Sequence, residues 1–356
     1  MPMNESPLGD WTGIRPAAVL LLCGILLGSA GEPPSKHELP RYVARDLLAP
    51  LPTDASAPDR LRCASGPRGR RLQTEHFLLM HTTDERTARR LGARLEAVYR
   101  ANIHFLEELR LEPQRPTSKL EVLVFRSYDE FRGYLKKAGS SDETILGLFE
   151  PTNNRTVFFD LATHPQVAAL RRKLEDLRNA GWARRRPVLR TLRQRSAALN
   201  AKVIQHEAAH QVQFNIGVLS PDHQVPAWLA EGLAQLFELP FESAGITDLS
   251  VINRYRLNEF RELHANQPDM RSALCTLIGS DQKLSDGADY SLAWALTDYL
   301  YRCHREEFAG YLRQIAAKGC NPGDFEEHFG VVDERFTLQF QAYIRDLLQR
   351  YPTDQE

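Results

Sequence analysis

The chain has 356 residues, of which 42% are hydrophobic and 26% charged, a balance that suits folded domains and argues against collagen-like, coiled-coil and disordered chains. Lys plus Arg number 45 against 46 Asp plus Glu, so no overall field draws the molecule to nucleic acid or to an anionic membrane, and charged partners are met locally. The 21 Gly and 21 Pro carry no fixed period, which argues against a solenoid or a propeller.

In chain order, the first feature is an unbroken apolar run over 17–27 (AAVLLLCGILL), preceded by Arg15 and followed by Gly28, Ser29 and Ala30. That layout predicts a secretory signal peptide over 1–30 and an exported product, periplasmic, cell-envelope or extracellular. The run is well short of the roughly 20 apolar residues that a membrane-spanning helix needs. After cleavage the chain keeps Cys63, Cys275, Cys303 and Cys320, read as buried thiols or as one bridge such as Cys303 with Cys320. None of them has the spacing of a structural zinc site.

Residues 31–71 are rich in Pro, Arg and Ala without sustained periodicity, which predicts an extended leader. An α+β part follows over 72–160. It comprises a strand over 72–81, a helix over 83–109, a strand over 120–125, a short helix over 128–137 and a β-hairpin whose arms, 146–150 and 156–160, flank Pro151, Thr152, Asn153 and Asn154. Residues 161–199 hold ten Lys or Arg against Glu175 and Asp176, a formal charge of +8 that leaves −9 on the rest. They read as an Arg-rich helical hairpin turning around Gly181 and Pro187, with Val167, Leu170, Leu174 and Leu177 packed on the body. The same density of charge suits an anionic surface or acidic substrate, while Trp182 as the sole aromatic gives no base-stacking nucleic-acid site. Helical spacing dominates from 200 to 356, so strands first and helices later predict an α+β fold.

The chemistry lies in that last segment. His206, Glu207, Ala208, Ala209 and His210 spell HExxH within a stretch of good helix formers. Residues four apart share one helix face with Cβ atoms about 5 to 6 Å apart, so both imidazoles can aim at one zinc ion. Glu207, turned by about 100°, can sit beside a water on that ion. With 11 His and 26 Glu in the chain, HExxH arises by chance about 0.02 times per sequence of this length. Catalytic zinc commonly takes three protein ligands and leaves the fourth position open. Glu231, in a helical segment between Pro226 and Pro240, is the third-ligand candidate, and Gly232 and Ala234 beside it permit close helix approach.

The stretch 203–238 (VIQHEAAHQVQFNIGVLSPDHQVPAWLAEGLAQLFE) resembles the gluzincin class of zinc metallopeptidases. It is most similar to the bacterial group called domain of unknown function 1570, related to peptidase MA-like families, and the similarity runs on through Asn253, Arg254 and 290–296. The resemblance implies a mainly helical zincin-like domain with one Zn2+ per chain. His206, His210 and Glu231 would be its ligands and Glu207 its general base. It also implies that the edge of the 146–160 hairpin borders the cleft. Where some gluzincins carry an acidic residue four positions after the third ligand, this chain has Gln235, so Gln235 or Glu238 would orient a histidine. Tyr290 is the candidate transition-state donor, with packing at a helix start as its alternative. The expected activity is hydrolysis of a peptide or protein substrate by a Glu207-activated, zinc-bound water. The alternative is a non-catalytic, zinc-containing extracytoplasmic binding or scaffold protein.

Overall fold

Three runs of largely apolar residues, Phe77–His81, Leu120–Phe125 and Arg155–Phe159, are buried along their whole length, as strands covered on both faces must be. They form β2, β3 and β5 at the centre of a five-stranded sheet. The edges are β1 (Arg70–Gln73) and β4 (Leu148–Glu150), in the order β1-β2-β3-β5-β4. The pairs β2/β3 and β3/β5 are parallel, while each edge strand is antiparallel to its neighbour. The structure, a computed structural model, describes residues 43–176, 182–239, 249–264, 267, 269–280 and 282–352. The signal-peptide reading of 1–30 lies outside them.

Helices supply the connections that parallel strands require. Helix α2 (Glu85–Glu108) starts where the Asp84 carboxylate accepts from the Thr87 amide and leads from β2 to β3. Helix α3 (Tyr128–Lys137), capped by Ser127, stands between β3 and the β4/β5 hairpin. That hairpin turns through a 3-10 turn at Pro151–Asn153 and through Asn154 at φ 47°, a backbone conformation that asparagine tolerates.

Three expectations are corrected here. The stretch 72–81 is two strands, because Thr74 and His76 turn the chain between β1 and β2, and its hydrophobic alternation continues across the turn. The described part of the supposed leader carries a 3-10 helix, Ala44–Leu48, and α1 (Ala57–Ser65), with Leu47 and Leu61 fully buried. Short amphipathic pieces like these leave too little period to detect. The Arg-rich segment is two helices as expected, α4 (Pro165–Asp176) and α5 (Trp182–Ile216), but Pro187 is no part of a turn, since α5 runs without interruption past it into HExxH. Gly181 lies outside the described residues. Helix α5 ends at Gly217, whose φ of +92° no ordinary side chain favours, against the Glu112 carbonyl.

Seven further helices complete the molecule: α6 (Ala227–Leu236), α7 (Arg254–His264), α8 (Met270–Gly279), α9 (Gly287–Cys303), α10 (Arg305–Lys318), α11 (Asp324–Phe329) and α12 (Glu334–Arg350). The protein is therefore a mixed α/β molecule, mostly helical, with 12 α-helices among the described residues. Its strands are not all placed before its helices, since α2 and α3 alternate with them. Helix α9 is central and buried on nearly all sides. The hydroxyl of Thr297 and the carbonyl of Ala293 on α9 come so close to Gly232 that a Cβ there would lie 2.0 and 2.7 Å from them. The small residue beside Glu231 thus fits α6 against α9. No disulfide joins Cys63, Cys275, Cys303 and Cys320, and the first three are exposed, so neither the bridge nor the burial expected of them is present. No helix of the described residues is long and apolar enough to cross a membrane.

Candidate metal centre

Helix α5 places His206 and His210 one above the other with ring centroids 4.7 Å apart and planes at 82°. Pro226 sets the start of α6, whose fifth residue, Glu231, reaches the same point. His206 Nε2 lies 3.1 Å from His210 Nε2 and 3.1 Å from Glu231 Oε2, and His210 Nε2 lies 3.8 Å from that oxygen. Zn–N and Zn–O bonds near 2.0 to 2.1 Å at tetrahedral angles put ligand atoms about 3.3 Å apart, so the three edges have the size the ion demands. A triangle with these edges has a circumscribed radius of about 2.0 Å, which leaves room for one ion equidistant from all three atoms. Two nitrogens facing each other at 3.1 Å share at most one proton, and a cation at the same point would take its place. His206, His210 and Glu231, predicted as ligands, are thus brought together.

Glu207 points elsewhere on α5, towards the edge strand. It is fully buried and neither of its carboxylate oxygens has a hydrogen-bond partner. Burial raises its pKa to about 7, opposed by His206 and, to a lesser degree, by the backbone of Phe149 on β4. Gly147, just before β4, makes room here. A Cβ on it would meet Val203 Cγ1 at 2.6 Å and approach Glu207 Cγ at 3.5 Å. The β4/β5 hairpin edge therefore borders Glu207.

Behind the ligands lies a carboxylate that answers the question left by Gln235. Glu238 Oε1 is 2.9 Å from His206 Nδ1, whereas both amide atoms of Gln235 are buried without partners. Gln235 sits one turn after Glu231 but does not reach the histidine. Glu238 does, because the chain leaves α6 at Leu236 and folds back. With Nδ1–H donating to Glu238, a neutral His206 carries its lone pair on Nε2, the atom that faces the other two candidate ligands. Burial alone would depress the His206 pKa, but hydrogen bonds donated to Glu231 and Glu238 outweigh it and raise the value to about 10, so without metal Nε2 is protonated as well. His210, further from Glu238, is held below its usual value by burial.

Sequence reading missed three neighbours of Glu238. Arg256 donates from Nε and Nη2, both at 2.9 Å, and its Nη1 donates to Glu259 at 2.7 Å. Asn253 donates at 3.4 Å, and Lys202, one turn before His206, lies at 3.5 Å. The spacing of four between Lys202 and His206 was the available signal. Arg256 had none, because its partner is 18 residues away, a separation that helical spacing does not link. Tyr290, in the first turn of α9, is buried with its ring 5.9 Å from the Arg256 guanidinium.

A second group of possible ligands, Glu75, His76 and Glu96, is built differently. Glu96 already accepts from the His76 backbone at 2.8 Å and from its Nδ1 at 2.7 Å, with Tyr99 stacked on the ring, so this pair ties the β1/β2 turn to α2.

Comparison with protein families agrees with where the site lies. Residues 200–320 match the family described as a protein of unknown function (DUF1570). The DUF1570 match contains all three candidate ligands, Glu207, Glu238 and Arg256, and begins inside α5. The Arg-rich first half of that helix and the whole sheet lie outside it. No curated protein matches the chain.

Proposed function

We propose that the chain is an exported zinc-dependent metallopeptidase of gluzincin type, related to peptidase MA-like enzymes, that hydrolyses peptide (amide) bonds. The observation that carries this reading is the zinc-sized triangle of His206, His210 and Glu231 beside a buried, partnerless Glu207 carboxylate. When bound, zinc would polarise the scissile carbonyl and acidify a water at its open coordination position. Glu207 would take a proton from the attacking water on one carboxylate oxygen and return it to the leaving nitrogen, so that water and amide become acid and amine. The β4 edge beside Glu207 supports an extended substrate lying there. The contact of Tyr290 with Arg256 supports its packing role at the start of α9 over that of transition-state donor. Export rests on the apolar run over 17–27.

One observation favours the second reading, a zinc-containing extracytoplasmic binding or scaffold protein. His206, His210, Glu207 and Glu231 are at most 5% exposed. A structural ion tolerates that enclosure, whereas a hydrolase must admit a peptide. The test is Glu207→Gln, which removes the base and none of the ligands. Retained zinc with hydrolysis of a peptide library reduced by at least about a hundredfold supports the enzyme. Zinc-loaded unsubstituted protein that cleaves nothing supports the scaffold.

A further inference from the structure

We propose that Arg256 is a positioning residue of the metal centre, holding Glu238 and, through it, the ring of His206 so that Nε2 faces the ion. The inference rests on the metal-centre reading above. Glu238 lies beyond the end of α6, where no helix fixes its side chain, and yet it is the acceptor that sets the His206 ring. A single point donor leaves a carboxylate free to swivel about its axis. A planar guanidinium presenting two parallel N–H groups fixes its plane as well. Arg256 makes that two-pronged contact at 2.9 Å on both arms.

Arg256 is itself held from three sides. It is 3% exposed, its Nη1 donates to Glu259, and its backbone amide donates to Asn253 Oδ1 at 3.2 Å. Asn253 Nδ2 donates in turn to the Gln235 carbonyl at 3.0 Å, which ties the start of α7 to the end of α6 just where Glu238 departs. Lys202 contributes charge from α5 at 3.5 Å but only a single donor direction. A buried cation that merely compensated charge would need no such coplanar fit. The contact has the form of an orienting device, and its effect should appear in metal affinity.

The test is a double-substitution cycle on the full chain, reading the zinc dissociation constant by competition with a chromogenic chelator and the fold by circular dichroism. Glu238→Gln should weaken zinc binding by about 10- to 100-fold, as loss of a histidine's hydrogen-bonded carboxylate does. Arg256→Met should weaken it about tenfold in the unsubstituted background and by less than about threefold once Glu238→Gln is present, because its route to the ion is then gone. Arg261→Met, on the same helix but bonded to Asn258 and the Tyr351 carbonyl, should leave the affinity unchanged. If Arg256→Met does not fold, Arg256→Lys keeps the charge without the fork and should still lose affinity. Equal losses in both backgrounds, or unaltered affinity in Arg256→Met or Arg256→Lys, would overturn the proposal. Absence of zinc binding by the unsubstituted protein would instead overturn the metal-centre reading and this one with it.

Discussion

Glu207 and His206 are consecutive residues whose protonation is raised for opposite reasons, burial without a partner in one and two carboxylate partners in the other. For the metal-free protein the consequences add. A group whose folded pKa exceeds its unfolded value stabilises fully below the unfolded value and loses that contribution as pH rises through the folded one. His206 loses it between 6.5 and about 10, and Glu207 between 4.5 and about 7. The histidines held low by burial, His81, His164, His210 and His264, work the other way, but below their usual 6.5, and Lys202, lowered to about 8, does so above that value. Chelator-treated protein should therefore melt at lower temperature at pH 8 than at pH 6.5, and a rise over this interval would contradict the assignment. Zinc must displace the His206 proton, so binding at pH 7.5 should release protons and tighten as pH rises. Calorimetry in buffers of different ionisation enthalpy measures this directly, and proton-neutral binding would count against His206 as a ligand.

At the scale of elements, the centre depends on how closely α6 lies on α9. Gly232→Ala would put a methyl carbon against the Ala293 carbonyl and the Thr297 hydroxyl. Overpacking of this kind costs about 1 to 3 kcal/mol, and the shift falls on the residue next to Glu231. The variant should melt several degrees lower and bind zinc more weakly, and unchanged melting would show that the two helices have slack. The elements that carry this geometry were largely legible. The strand over 120–125, the helix over 128–137 and the hairpin around Pro151 to Asn154 stand where apolar runs and turn residues put them, because local chemistry decides each. The HExxH pair was legible because helical periodicity puts His206 and His210 on one face, and Glu231 because it stands in the next helical segment, bounded by Pro226 and Pro240. The joining of α5 across Pro187, the β1/β2 turn and the role of Glu238 over Gln235 were not. Each depends on packing between residues far apart in sequence, which periodicity does not register.

At the scale of the whole molecule, the DUF1570 match covers the second half of α5 through α10 and with them the centre, while the sheet contributes the edge strand beside Glu207. Every role proposed for these residues requires that centre to take a metal. The decisive measurement is the zinc content of the purified chain from Gly31 onward, beside His206→Ala and Glu231→Ala, each first shown to be folded. One zinc per chain in the unsubstituted protein, with loss from both variants, is the predicted result. No zinc after reconstitution, or zinc retained at full occupancy by either variant, would contradict it.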